Sequence, residues 1–167
     1  PLLVISDVDT LSTLSDEIFA DGMGEVVKYG MIRSYTLFEK LENGNVNDDL
    51  EDIIYECVDI KRAVVENDEF DTGERMILNF GHTLGHALEK KFNFSGISHG
   101  KAVAVGMMLV TEKCADESTA NRLRSCLIAN NLPVVAKAEL SELYELSVND
   151  KKRLAEKIRI IVCKEIG

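Results

Sequence analysis

Apolar residues recur every three or four positions through most of the chain, a spacing that predicts successive amphipathic helices. The first helical region covers residues 15–41, with Ser15 as N-cap ahead of Asp16 and Glu17. Asp21-Gly22 and Gly24 predict a break inside it. A loop follows at 43–45, and a second helix starts near Asn47 or Asp48. It carries Leu50, Ile53, Ile54, Cys57, Val58 and Ile60 on one side and ends near Asn67. The polar stretch 68–73 reads as a turn, 74–92 as one helix and 93–96 as a loop. Ser98 then caps a helix over 99–116, and two more are expected at 119–130 and 141–146. Runs rich in β-branched residues at the two ends, 1–5 and 158–163, predict strands. Residues 1–167 therefore read as one mainly α domain with short strand segments at its ends, edges of a piece of a longer protein.

Composition narrows the possibilities. A hydrophobic content of 46% fills a core without disulfides. Cys57, Cys114, Cys126 and Cys163 are scattered with no CxxC pair, which fits reduced thiols in a reducing compartment. The net charge of −10 argues against nucleic acid as a partner. Neither an 18-residue apolar run nor a signal-peptide pattern occurs, so a cytoplasmic protein with no membrane partner is expected.

All three histidines, His82, His86 and His99, fall together. His82 and His86 stand four apart on the expected 74–92 helix, their Cβ atoms about 5–6 Å from one another on one face. The pair resembles the metal-binding face of HExxH helices, but helix-face histidines bonded to backbone have the same spacing. Gly81 and Gly85 alternate with them and predict a smooth groove beside the rings. His99, at a helix start, adds a third imidazole, and zinc accepts an oxygen ligand equally well. Glu25 is a candidate for it, within Gly22-Met23-Gly24-Glu25-Val26-Val27-Lys28-Tyr29-Gly30. Periodicity alone makes Glu25 and Lys28 a solvent-exposed i, i+3 ion pair. Arg75, Asn79 and Lys61 suggest anion recognition beside the histidines, or else a solvated helix surface. Asp150-Lys151-Lys152-Arg153 is a basic patch in an acidic chain.

Taken together these stretches resemble the C-terminal domain of the 3-dehydroquinate synthase family over nearly the whole chain. The likeness begins at Leu11-Ser12-Thr13-Leu14 and continues through Gly24-Glu25-Val26-Val27-Lys28-Tyr29-Gly30 and Lys61. It is strongest from Gly73 and Arg75 through Leu78-Asn79-Phe80-Gly81-His82-Thr83-Leu84-Gly85-His86-Ala87-Leu88-Glu89, and again from Ser98 to Met107. Asp150-Lys151-Lys152 and Ile166-Gly167 complete it. Ser15 stands where the family commonly has Pro, and Asp71 where relatives often carry Glu.

The resemblance implies that Glu25, His82 and His99 are the metal ligands for Zn2+ or Co2+. It implies that His86 touches substrate near its phosphate, and that Lys61, Arg75 and Asn79 bind the substrate carboxylate. Lys28 matches a lysine near the reacting end of the sugar acid, and Lys152 a late lysine reaching the phosphate. The implied reaction converts 3-deoxy-D-arabino-heptulosonate 7-phosphate to 3-dehydroquinate and phosphate, in a homodimer, with NAD as redox cofactor. No strand-GxGxxG-helix unit occurs in these residues, so the NAD domain is expected to precede them. Three other readings remain open: a related sugar-phosphate cyclase, an iron- or zinc-dependent alcohol or glycerol dehydrogenase, and a non-enzymatic acidic binding module.

Overall fold

The computed structural model describes residues 3–43, 46–151 and 158–167, with the side chains of 149–151 excepted. Seven α-helices occur among the described residues: α1 Asp16–Arg33, α2 Tyr35–Glu42, α3 Leu50–Asn67, α4 His82–Lys91, α5 His99–Cys114, α6 Glu117–Ala129 and α7 Leu140–Lys151. Two 3₁₀ segments, Val8–Thr13 and Glu74–Asn79, precede α1 and α4. The helical class expected from periodicity is the one observed. The strands expected at the ends are not formed among the described residues, where 3–7 and 158–163 belong to no sheet. β-Branched residues favour extended backbone, but a strand exists only where a neighbour accepts its hydrogen bonds.

Helix α5 is the axis of the fold. Gly100 and every residue from Ala102 to Met108 are buried, because its sequence is apolar on all sides and needs neighbours all round. Helices α1, α4 and α6 pack against it. Small residues set the closeness of two of these contacts. A Cβ on Gly24 would lie 2.5 Å from the Gly100 carbonyl oxygen, and one on Gly100 would lie 1.8 Å from the Asp21 carbonyl oxygen. On the other side of α5, a Cβ on Gly106 would lie 2.1 Å from the Gly81 carbonyl oxygen.

These approaches overturn three local expectations. Helix α1 is unbroken through Gly22 and Gly24, and the chain bends instead at Ser34, whose hydroxyl accepts from the Leu37 N–H to cap α2. Gly24 is there to let α5 in rather than to stop the helix. The expected 74–92 helix is divided. Phe80 leaves the helical region at ψ 128, and Gly81 is left-handed at φ 77, so α4 begins at His82. Finally, Gly85 faces the α5 backbone, where an added Cβ would meet Val103 at 3.2 Å. The groove predicted beside the histidines is thus filled by protein.

Candidate metal centre

Glu25, His82 and His99 come from three different helices and converge. His82 and His99 are the first residues of α4 and α5, and Glu25 lies midway along α1. Glu25 is the neighbour of Gly24, and His99 of Gly100, so the glycine contact between α1 and α5 brings their side chains together. Glu25 Oε1 stands 3.3 Å from His82 Nε2 and 3.8 Å from His99 Nε2. One ligand atom from each residue lies within 4.8 Å of the others.

The outward-facing ring nitrogens are also placed. His82 Nδ1 lies 3.0 Å from the Phe80 carbonyl oxygen, which can only accept, so Nδ1 carries the proton. His99 Nδ1 lies 3.2 Å from Glu89 Oε1 and is held in the same way. With Nδ1 as the donor, it is Nε2 of each ring that faces Glu25 Oε1, free to bind a metal once it carries no proton. Among the described residues that buried oxygen has no hydrogen-bond partner. Two imidazoles with one carboxylate, their ligand atoms within 4.8 Å of one another, are a zinc-type ligand set. The residues present fit a divalent metal.

Lys28 holds the other carboxylate oxygen. Its Nζ lies 2.6 Å from Glu25 Oε2, and Lys28 is 2% exposed, so the surface ion pair expected from periodicity is half-buried, with its cation enclosed. Burial pushes the Glu25 carboxyl up, but the nearby His82 and Lys28 outweigh it and hold the carboxyl at about 2. For Lys28, burial lowers the ammonium pKa and the Glu25 carboxylate opposes this in part. The charge of Lys61 on α3 adds to the lowering. Burial drives the neighbouring Cys57 thiol up to about 12, so it remains a protonated core group.

His86 is outside the inner set. Its ring centroid is 5.6 Å from that of His82 and 5.9 Å from that of His99, on the exposed rim. The i, i+4 pair therefore does not meet in the inner group; His86 forms a second, more open group with Glu89 and His99. Arg75 and Asn79 lie on the 3₁₀ segment before α4 rather than one helical turn apart on it. Lys152 lies outside the described residues. A cleft of about 700 Å³, lined in part by Leu11, Phe19, Met23, Val46 and Asn130, contains none of these groups.

Arg75 is positioned through its backbone. Asp68 Oδ2 accepts from the N–H groups of Gly73 at 2.7 Å and Arg75 at 3.0 Å, and Oδ1 from that of Thr72 at 3.0 Å. The Arg75 guanidinium donates from Nη1 to the Glu69 carbonyl oxygen. Asp71, where relatives often carry Glu, is left-handed at φ 56, a conformation that short polar Asp tolerates better than longer side chains. The backbone bonds from Thr72, Arg75 and Gly73 hold the Asp68 carboxyl down at about 2, against 3.8 ordinarily. Its charged form is thus favoured by folding. The contribution is complete above the unfolded value and is lost as pH falls through the folded one. An NMR titration of Asp68 is expected to have its midpoint near 2, with the 68–75 amides shifting in step; a midpoint at or above 3.8 would refute this.

Glu89 and Asp21 were not singled out from the sequence. Glu89 was visible in principle, since it stands seven residues after His82 and three after His86 on the same helix face. Asp21 was not. Ser98 occupies the N-cap position of α5 without making a capping bond, and Asp21 Oδ1 on α1 accepts from the Lys101 N–H in its place at 3.0 Å.

The profile of the family described as 3-dehydroquinate synthase C-terminal matches residues 22–153. A 3-dehydroquinate synthase of Clostridium perfringens (strain SM101 / Type A) is 47% identical over 178 aligned positions, covering 100% of this chain and 51% of that protein. The counterpart from Dictyoglomus thermophilum is 40% identical, with coverage of 100% and 50%. Among solved structures, the 2-epi-5-epi-valiolone synthase of Streptomyces hygroscopicus subsp. jinggangensis 5008, with NAD+ and Zn2+ bound, superposes with a TM-score of 0.83. It is 18% identical and covers 96% of this chain and 48% of its own, a likeness of fold. A 2-deoxy-scyllo-inosose synthase complexed with carbaglucose-6-phosphate, NAD+ and Co2+ gives a TM-score of 0.76 at 25% identity, covering 96% and 48%. The chain spans about half the length of the curated relatives it matches. With the profile running through Glu25, His82 and His99, the chain belongs to the 3-dehydroquinate synthase family, in its C-terminal part.

Proposed function

We propose that this chain is the metal- and substrate-binding half of a 3-dehydroquinate synthase, a carbon–oxygen lyase. The full-length protein would release phosphate from 3-deoxy-D-arabino-heptulosonate 7-phosphate and form 3-dehydroquinate. The observation that carries the reading is the meeting of Glu25 Oε1, His82 Nε2 and His99 Nε2. In this reading those residues hold zinc or cobalt. The metal supplies Lewis acidity toward substrate hydroxyls, and NAD, bound mainly by residues outside this chain, supplies hydride transfer.

The chain's own residues do the rest. Lys28 neutralises Glu25 from behind and fixes its carboxylate, while the Phe80 carbonyl and Glu89 fix the two rings. His86, on the open rim, is proposed to contact the phosphate end of the substrate, with Lys152 as its companion. Lys61, Arg75 and Asn79 are the proposed carboxylate-binding groups, orienting an anion for reaction. The proposal includes a cytoplasmic homodimer, and the four free thiols suit a reducing compartment. Among the described residues no helix is long and apolar enough to cross a membrane.

The second reading, a related sugar-phosphate cyclase, is suggested by the likeness to a 2-deoxy-scyllo-inosose synthase complexed with carbaglucose-6-phosphate. Arg75 discriminates. A charge-assisted hydrogen bond contributes about 1.5–3 kcal/mol. In the full-length protein Arg75→Ala is therefore expected to lower kcat/KM for the sugar acid phosphate by roughly ten- to a hundredfold. An analogue lacking the carboxylate should be far less affected. Wild-type protein that releases no phosphate from the acid, or an equal loss on both compounds, would overturn the assignment.

A further inference from the structure

The geometry points to Glu89 as a positioning residue that sets metal affinity through His99, an inference that rests on the metal centre proposed above. Glu89 lies near the end of α4, 14% exposed at its side chain, and turns Oε1 to His99 Nδ1 at 3.2 Å. His99 is the least enclosed of the three inner residues, 44% exposed against 14% for His82. Its ring sits at the first residue of α5, where no preceding helical turn restrains it. His82 has a backbone carbonyl to fix its ring, which no substitution removes. His99 depends on a side chain.

Two consequences follow from the chemistry of that contact. A carboxylate accepting from Nδ1–H keeps the proton on the outer nitrogen, so Nε2 stays an electron-pair donor facing Glu25. It also raises the basicity of Nε2, because partial proton withdrawal makes the imidazole more imidazolate-like. Loss of such a partner typically weakens metal binding tenfold to a hundredfold.

The test uses full-length protein and zinc alone, with affinity read by competition against a chromophoric chelator. Glu89→Ala is expected to weaken zinc binding about tenfold to a hundredfold. Glu89→Gln, whose amide oxygen still accepts from Nδ1–H, should fall between wild type and alanine. In a His99→Ala background, Glu89→Ala should add less than about twofold, since the partner through which it acts is gone. A Glu89→Ala protein that stays within about twofold of wild type refutes the inference, as does an equal loss with and without His99. Wild-type protein that binds no zinc overturns the metal centre itself, a result distinct from either.

Discussion

His82→Ala in the full-length protein is expected to strip the metal, and His86→Ala to leave it bound. A four-ligand structural zinc site is worth about 10–16 kcal/mol, so one ligand accounts for roughly 2.5–4 kcal/mol. At 1.4 kcal/mol per factor of ten, that is roughly a hundred- to a thousandfold in affinity. His82 brings Nε2 to 3.3 Å from Glu25 Oε1, and its other nitrogen is already bonded to the Phe80 carbonyl. No neighbour replaces it, because His86 has its ring centroid 5.6 Å away on the rim. His86→Ala should instead lower turnover at unchanged zinc content, as a phosphate contact would. Metal analysis of both variants after gel filtration decides between the inner triad and the helix pair. Zinc lost from His86→Ala but kept in His82→Ala would reverse the assignment.

The difference between those two histidines shows where local reading of the sequence stopped. The i, i+4 spacing is correct, and both residues do lie on α4. Spacing places two side chains on one face, but a ligand set needs a third residue from elsewhere, and the third decides which member of the pair is used. Glu25 approaches from α1 at the start of α4, so the first histidine meets it and the second does not. The family resemblance named three residues that do converge, Glu25, His82 and His99; periodicity could not name them. The helices themselves were legible from their apolar positions, a stripe in α3 with Ile53, Cys57 and Val64 buried, and the whole circumference in α5.

The glycines were misread for the same reason. Gly22, Gly24, Gly81 and Gly85 have equal helix-breaking tendency in isolation. Of the four, only Gly81 stands at a helix boundary, the N-cap of α4, with φ 77 and the α5 residues Val103 and Met107 pressed against it. Gly24 and Gly85 are contact points inside continuous helices. What separates them is the neighbour each one meets, and that neighbour is distant in sequence. Capping followed suit: Ser98 is the residue expected at an N-cap, yet Asp21 does the work because α1 crosses there. The end segments show the reverse case, strand-forming composition without a ladder partner among the described residues.

Gly100→Ala should damage both the fold and the metal centre without touching a ligand. The new Cβ would lie 1.8 Å from the Asp21 carbonyl oxygen and 2.9 Å from Asp21 Oδ1, and backbone cannot swing aside as a side chain can. Relief to an ordinary contact of 3.4 Å requires a shift of about 1.6 Å between α1 and α5, and overpacking of this kind costs about 1–3 kcal/mol or more. The Asp21 cap on Lys101 stretches from 3.0 Å at the same time, and loss of a cap adds about 1 kcal/mol. Glu25 and His99 ride on the two separating backbones, whereas metal–ligand distances tolerate about 0.2 Å. A lower unfolding temperature together with weaker zinc binding is therefore expected. Gly22→Ala is the control, since a Cβ there meets nothing within 4 Å and α1 is continuous through it. It should raise stability by about 0.4–1 kcal/mol, the usual effect of replacing an unneeded helical glycine. Calorimetry and chelator competition on both variants give the answer. If Gly100→Ala bound zinc as tightly as wild type, the glycine crossing would not be what holds Glu25 against His99.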